Sequence, residues 1–419
     1  MSGPNLMAMA WRNLWRHRRR TLLTLSSIAF GTMLAWLFTG LGDANWRKMI
    51  DLAARLGGGH VTLQHAEYLD SPTLSRTVAA ASDLAAVALA DSDVSRVVSR
   101  ISGNLMIASA ARNYGAGFIA FDPDAEDADT LSLLEAIDEG ELFGANGRGG
   151  IVLGTKLAEN LRVGVGHKVV YTLTDKDGEI VQEAVRVSGI LRTGAPSVDA
   201  ALVLLPIDYV RTSLRYGADE AVQVAVFLDD QRAADEVATR LAGEIESEAE
   251  SVVALPWHVL QPELAGFIAM KVGGAWVMEA IIMLLVAAGI FNTIFVGVME
   301  RMREFGILRA IGWTPGQLGR LVLTESTLLA VSGIGLGVLV TAGPYLYLNR
   351  VGVDLMAAMA GGQVAEVAGV AMTTRMYVDI YPENAVMIGG AALCATLLSG
   401  VYPAWKAGQV DPADTIRLV

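Results

Sequence analysis

Four stretches with few or no charges reach the roughly 20 residues that a helix needs to cross a bilayer: 21–41, 272–298, 318–348 and 385–401. Inside a bilayer every backbone donor and acceptor must be satisfied within the segment, so each run has to be a helix. Only one stretch between them, residues 42–271, is long enough to fold by itself. The chain has 419 residues, 53% apolar and 18% charged, with a mean hydropathy of +0.43. That is too apolar for an ordinary soluble protein and too charged to be all membrane. The pattern predicts an α-helical membrane protein with four transmembrane helices and an α+β extracytoplasmic domain inserted between helices 1 and 2. The first run exceeds a signal-peptide core and no small-residue cleavage site follows it, so it is read as retained. Glu279 and Glu325 are the only acids in these runs. Each falls toward one end of its run, where reaching the interface is the simpler reading and a buried functional charge the other.

Charge orients the spans. Residues 1–20 hold Arg12, Arg16, Arg18, Arg19 and Arg20 and no acid, and residues 299–320 hold four arginines against two glutamates. Both flanks are expected in the cytoplasm. Residues 42–271 carry 19 Lys and Arg against 34 Asp and Glu, which places them outside. A multi-pass protein of the inner (cytoplasmic) membrane follows, with both termini cytoplasmic. The net charge of −12 argues against a nucleic-acid partner. Cys394 is the only cysteine, so no disulfide can form within the chain.

The joint between the second and third runs has its own design. Glu300, Arg301, Met302, Arg303, Glu304, Leu308, Arg309 and Ala310 are mostly good helix formers. Met302, Phe305 and Leu308 make an apolar stripe at helical spacing, and Glu300 and Glu304 lie four apart beside Arg301 and Arg303. Gly312 ends this helix, and Thr314-Pro315 starts the next. A charged, capped helix at the membrane surface suits the grip of a soluble partner. The plainer alternative is a basic loop that only sets topology.

Residues 5–20 are amphipathic, with Met7, Trp11, Leu14 and Trp15 on one stripe and arginines off it, as in a helix lying in the inner headgroup layer. The first span carries the small residues Ser26, Ser27, Ala29 and Gly31. Beyond them come Met33, Leu34, Trp36, Leu37 and Phe38. Met33, Leu34, Leu37 and Phe38 form an adaptable apolar wall that could receive acyl chains of a substrate, or simply face lipid. Within 42–271, strands are expected near 60–64, 117–121, 150–153, 168–173, 181–190, 201–205, 221–228 and 251–255. Helices are expected near 82–90, 130–137, 155–160, 206–214 and 230–248. Asp175-Lys176-Asp177-Gly178 reads as a hairpin turn. Gly333-x-x-x-Gly337 in the third span suits close packing, either within one subunit or between two. There is no G-x-x-x-x-G-K-[ST], no H-E-x-x-H and no nucleophile elbow. The sequence therefore shows no catalytic site, no metal site and no cofactor site.

The run from Glu300-Arg301-Met302-Arg303-Glu304-Phe305-Gly306 through Ile307-Leu308-Arg309-Ala310-Ile311-Gly312 resembles the coupling-helix signature of the FtsX-like permeases of ABC transporters. The opening Ala10-Trp11-Arg12-Asn13-Leu14-Trp15-Arg16 with Arg20-Thr21 is similar to that family's start. Tyr402-Pro403-Ala404-Trp405-Lys406-Ala407 and Asp411-Pro412-Ala413-Asp414-Thr415-Ile416-Arg417 are similar to its end. Ile151-Val152-Leu153-Gly154, Leu157-Ala158 and Leu161-Arg162-Val163-Gly164 resemble the periplasmic core domain of MacB-type and lipoprotein-releasing (LolC/LolE-type) permeases. His167 stands where that family often has an acid. Arg375-Met376-Tyr377-Val378-Asp379-Ile380-Tyr381-Pro382 resembles the lipoprotein-releasing members.

The resemblance implies a non-catalytic permease with a plan of nine segments. These are an interfacial helix (1–20), span 1 (21–41), periplasmic core domain (42–271), span 2 (272–298), coupling helix (299–317), span 3 (318–348), external loop (349–384), span 4 (385–401) and cytoplasmic tail (402–419). It implies a separate ABC ATPase subunit, which binds the ATP and Mg and docks on Glu300, Arg301, Arg303, Glu304, Phe305, Gly306, Leu308, Arg309 and Gly312. A second permease copy or a homologous permease completes the machine. The expected work is mechanotransmission that extracts lipoproteins, or another amphiphile, from the outer leaflet and hands them to a periplasmic carrier. MacB-type efflux, control of a cell-wall hydrolase, and a membrane-anchored receptor are the alternatives.

Overall fold

The computed structural model describes residues 6–16, 18–143, 149–245, 251–354, 366–367, 370–371 and 375–410. The chain divides into two compact units. One comprises Met1–Asn45, Ala269–Leu355 and Arg375–Val419, and the other Trp46–Ile268 with Met356–Thr374.

The first unit is helical. It contains α1 (Leu6–Arg16), most of α2 (Arg18–Leu56) and α9 (Pro262–Glu300), all of α10 (Met302–Ala310), α11 (Pro315–Val351) and α12 (Pro382–Gly408). Among these, α2, α9, α11 and α12 are long and apolar enough to cross a membrane. Bare backbone lets them approach. Gly31 faces Val286, Gly333 faces Ile28, Gly337 faces Ala29 and Thr32, and Gly400 faces Ser326. A Cβ on Gly333 would stand 2.7 Å from that of Ile28, so the Gly333-x-x-x-Gly337 face is used inside one chain, against α2. Trp36 Nε1 donates to the Ala385 carbonyl at 3.2 Å and ties α2 to α12.

The expected span 21–41 is the middle of a longer helix. Asp43, Asn45, Arg47, Lys48 and Asp51 end the apolar run but not α2, because Met49, Ile50, Ala53 and Ala54 remain buried at helical spacing to its end. In the same way α9 begins at Pro262, with Leu264 and Ile268 buried. Of residues 349–384, Val353–Asp354 pairs with Arg375–Met376 and Glu366–Val367 with Val370–Ala371. The rest of 355–374 lies outside the described residues. So do His17, Glu246, Glu248 and the tail motif from Asp411 to Arg417.

The second unit is built on ten strands: β1 (Val61–His65), β2 (Val94–Ala108), β3 (Asn113–Phe121), β4 (Ile137–Gly140), β5 (Ile151–Gly154), β6 (Lys168–Thr174), β7 (Ile180–Leu191), β8 (Leu202–Pro206), β9 (Gln223–Leu228) and β10 (Val252–Pro256). They pair in the order β10-β1-β9-β2-β3-β8-β5-β7-β4, and β6 joins β2 to β7. The long β2 serves two lobes. Residues 94–100 pair with β9, and residues 101–108 with β3. In the first lobe α3 (Ala81–Leu89) and α7 (Ala234–Ile245) cover one face of the sheet, through Leu84, Ala88, Val237 and Leu241 on Leu63, Val224 and Val226. Ala54 of α2 packs with Val98, Ala225 and Phe227.

In the second lobe, β2, β3, β8, β5, β7 and β6 close into a ring. Its core joins the inward residues Ile107, Phe118, Leu153, Tyr171 and Val187 to α4 (Thr155–Leu161) and α6 (Ile207–Leu214). Two shorter helices, α5 (Pro196–Ala201) and α8 (Trp257–Leu260), complete the unit. The hairpin turn forms as expected. Asp175 Oδ1 accepts from the amides of Asp177 at 3.0 Å and Glu179 at 2.8 Å, and Gly178 takes a φ of +84°. The helix expected over 130–137 is instead a short 3-10 turn, Ser132–Ala136, followed by β4.

Candidate coupling site

α10 lies between two long helices and is fixed at both ends. Arg301 leaves helical geometry (φ −102°, ψ 10°) and breaks α9 from α10. After α10, Gly312 adopts φ +106°, a left-handed turn that favours glycine. Thr314 and Gln317 then close a reciprocal capping box, with Pro315 in the first turn of α11. The apolar stripe faces inward. Phe305 is fully buried against Leu318, Val322, Ala404 and Ala407, with Met302, Leu308 and Trp313 packed around it. Gly306 is buried beside Phe305.

The charges of the helix form a network with the rest of the unit. Arg301 Nη1 donates to both carboxylate oxygens of Glu325, each at 3.1 Å, and its Nε to Glu304 at 3.2 Å. Asn13 Nδ2 of α1 also donates to Glu325, at 2.8 Å. Arg16 pairs with Glu304 at 2.7 Å and Arg20 with Glu300 at 2.8 Å. Arg301 and Glu325 are 11% and 13% exposed, so this acid of the third span sits paired beneath α10 rather than bare at an interface. A small cavity of about 40 Å³ adjoins them, lined by Thr21, Thr24, Thr293 and Ser326 and by apolar residues such as Ile294 and Leu329.

The nine coupling residues therefore divide. Phe305, Gly306 and Leu308 face the unit, and Glu300, Arg301 and Glu304 are held by its own charges. Arg309 is half-buried and its Nε has no hydrogen-bond partner among the described residues, while Arg303 and Gly312 are exposed. The outward surface holds two residues that charge-based reasoning passed over, Ile307 (47% exposed) and Ile311 (73% exposed), with Ala310 beside them. Arg303, Ile307 and Ile311 recur every four residues, so this second stripe was legible as a period opposite the first. Leu34 and Phe38 stand on the exposed side of α2, and Met33 and Leu37 are half-buried.

Residues 276–412 match the model of the FtsX-like permease C-terminal family, and residues 21–244 match that of the MacB-like periplasmic core domain, which covers more than half of the chain. The chain belongs to the FtsX-like permeases that carry a MacB-like periplasmic core domain. It is 25% identical over 275 residues to the lipoprotein-releasing system transmembrane protein LolC of Xylella fastidiosa, covering 64% of each chain. It is 27% identical over 438 residues to the pyoverdine export ATP-binding/permease protein PvdT of Pseudomonas aeruginosa, covering 97% of this chain and 58% of that one. The permease thus spans under two thirds of the length of these relatives. Among solved structures, the extracellular domain of the noncanonic ABC-type transporter YknZ from Gram-positive bacteria also matches. That match has a TM-score of 0.33 and 14% identity, over 46% of this chain and 98% of that one.

Proposed function

We propose that this permease is the membrane subunit of an ABC transporter of the inner membrane, and that a separate ATPase subunit, which carries the ATP and Mg, grips the outward face of α10 from the cytoplasm. The observation that carries this reading is the exposed Ile307–Ile311 pair beside the exposed Arg303, on a helix whose Glu304 is already engaged by Arg16 and Arg301 of the same unit. Two isoleucines on a rigid helix suit an apolar cleft, and Arg303 suits an acidic rim. Movement of the ATPase then passes through Phe305 and the Arg301–Glu325 pair into α11. It also travels along α2 and α9, which are unbroken helices of 39 residues each. The chain itself performs no chemistry, and a second permease copy or a homologue completes the machine.

The cargo is an amphiphile drawn from the outer leaflet along Phe38 and its neighbours, a lipoprotein in the first reading, handed to a periplasmic carrier. Export of an amphiphilic small molecule is the second reading, favoured by the match to the pyoverdine exporter over nearly the whole chain.

Purification of the tagged permease from its native membranes tests the coupling. An ATPase with measurable hydrolysis should co-purify. Ile307→Glu with Ile311→Glu should lower its recovery tens-fold, because burying a charge in an apolar cleft costs a few kcal/mol. Equal recovery with the variant would reject α10 as the docking element. Lipoprotein or small-molecule cargo in the same preparation separates the two cargo readings.

A further inference from the structure

The clearest unassigned surface is α1 with the arginines that open α2. Residues 1–42 contain five arginines and no acid, since the first acid is Asp43. Arg12, Arg16, Arg18 and Arg19 are exposed. Ala10 is buried and Leu14 packs into the core of the unit, which leaves Met7, Trp11 and Trp15 outward, the two indoles edge to face at 5.9 Å. An outward surface of arginine and tryptophan without acids is complementary to one chemistry above others, the phosphate layer of an anionic membrane surface.

Two arginines of this stretch also hold the joint itself, Arg16 through Glu304 of α10 and Arg20 through Glu300, the last residue of α9. The two outer pairs, Arg16–Glu304 and Arg20–Glu300, are open to solvent, with Arg16 63% and Glu300 56% exposed. Arg20 reaches its partner across the bare backbone of Gly297, where a Cβ would displace its guanidinium. Arg12, Arg18 and Arg19 form no ion pair among the described residues, so they are available to an outside anion. Exposed pairs exchange partners easily, whereas the covered Arg301–Glu325 pair does not.

We propose that α1 and the first turn of α2 bind anionic phospholipid headgroups, and that these headgroups exchange with Glu304 and Glu300 for Arg16 and Arg20. The charge of the leaflet then sets how tightly α1 holds α10. In a neutral leaflet both outer pairs are kept, and α10 and the end of α9 are clamped to α1 and the start of α2. In an anionic leaflet α10 keeps the Arg301 pairs and the packing of Met302, Phe305 and Leu308, loses its tie to Arg16, and is freer to follow a partner. The inference rests on the reading that this end of the unit lies at the cytoplasmic leaflet, but its test needs no ATPase, so it can fail or stand apart from the docking of α10.

The test uses the full chain in nanodiscs of phosphatidylcholine, with or without phosphatidylglycerol. Spin labels at Ala8→Cys and Ala310→Cys, in a Cys394→Ser background, report the separation of α1 from α10 by pulsed electron resonance. One separation is expected in phosphatidylcholine, and a second, longer one with phosphatidylglycerol. Arg16→Gln with Arg20→Gln should show the longer separation in both lipids. Independently, Arg12→Gln with Arg18→Gln and Arg19→Gln should lower retention of phosphatidylglycerol, read by native mass spectrometry, by at least about tenfold, since each cation near an anionic surface contributes a factor of about five. Identical separations in the two lipids would overturn the exchange. Unchanged lipid retention in the triple variant would overturn the binding site.

Discussion

Two arginines anchor the two units of this permease, and they do so differently. Arg100 of β2 grips Glu126 through Nε at 2.7 Å and Nη2 at 2.6 Å. It also donates to the carbonyls of Thr130, at 2.7 Å, and Gly57. Both side chains of the pair are essentially without solvent, and the guanidinium lies 5.7 Å from the centre of the Phe227 ring. Together these contacts tie the end of α2 to the sheet. Arg301 has the same chemistry, a carboxylate and a phenylalanine ring at 5.2 Å, but it borders a small cavity and exposed ion pairs. Pairing is common to both sites. What differs is cover, and cover decides whether the site is a fixed staple or an adjustable joint.

The largest effect follows from removing the staple. Arg100→Met leaves the Glu126 carboxylate and two carbonyls buried without a donor, a loss of about 3–5 kcal/mol. Thermal unfolding of the purified permease, with hydrogen exchange along β2, measures it. Adding Glu126→Leu should restore a good part of the loss, because an apolar pair needs no donor. Arg301→Met should cost only about 1–3 kcal/mol, because Glu325 keeps Asn13 and adjoins a cavity able to hold water. Equal losses at the two sites would break the comparison.

The staple's surroundings should also tolerate no second cation. His60 is buried, with its ring 6.0 Å from the Phe227 ring that Arg100 covers, and its Nδ1 accepts from the Leu228 amide at 3.1 Å. Burial lowers its pKa below the usual 6.5. Asp51 and Asp230 oppose that shift, and Arg55 reinforces it. The folded unit therefore binds fewer protons than the unfolded chain between the lowered value and 6.5, and stability must rise with pH through that window and fall as the solution is acidified. The slope is at most about 1.4 kcal/mol per pH unit. His60→Gln should flatten it. Parallel pH profiles of thermal unfolding for wild type and His60→Gln would remove His60 from this account.

How legible each site was in the sequence follows from the same contrast. That a short helix stands between the second and third spans could be read, because Gly312, Thr314, Pro315 and the Met302–Phe305–Leu308 stripe are local signals, although the expected segment 299–317 is wider than α10, Met302–Ala310. Eight of the ten strands also announced themselves by short apolar runs. β2 did not. Arg100 and Ile101 are adjacent and both fully buried, so the alternation slips where the strand passes from one lobe to the other, and the buried residue at the slip is an arginine. Nor could a single stretch show that Arg16 reaches Glu304 of α10, that Arg20 reaches Glu300 at the end of α9, or that Glu325 meets Arg301 between them. Long-range ion pairs leave no period to read. β4 was hidden by its length, four residues with one apolar side chain.

The smallest effect concerns the outermost pair. Arg16 and Glu304 are 63% and 40% exposed, so their contact competes with water and with ions. Pairs of this kind contribute about 0.2–1 kcal/mol, and at physiological ionic strength charges farther apart than about 8 Å are largely screened. Arg16→Gln should therefore leave the melting temperature nearly unchanged, yet speed hydrogen exchange of the α10 amides a few-fold at low salt. High salt should bring wild type to the exchange rate of the variant, because the pair being measured is itself screened. Arg100→Met should show the reverse pattern, a large loss that salt does not alter, since no ion reaches Glu126. If salt leaves the Arg16→Gln difference intact, α1 is fixed to α10 by packing of Leu14 and its neighbours rather than by exchangeable charge. The joint would then be as rigid as the staple.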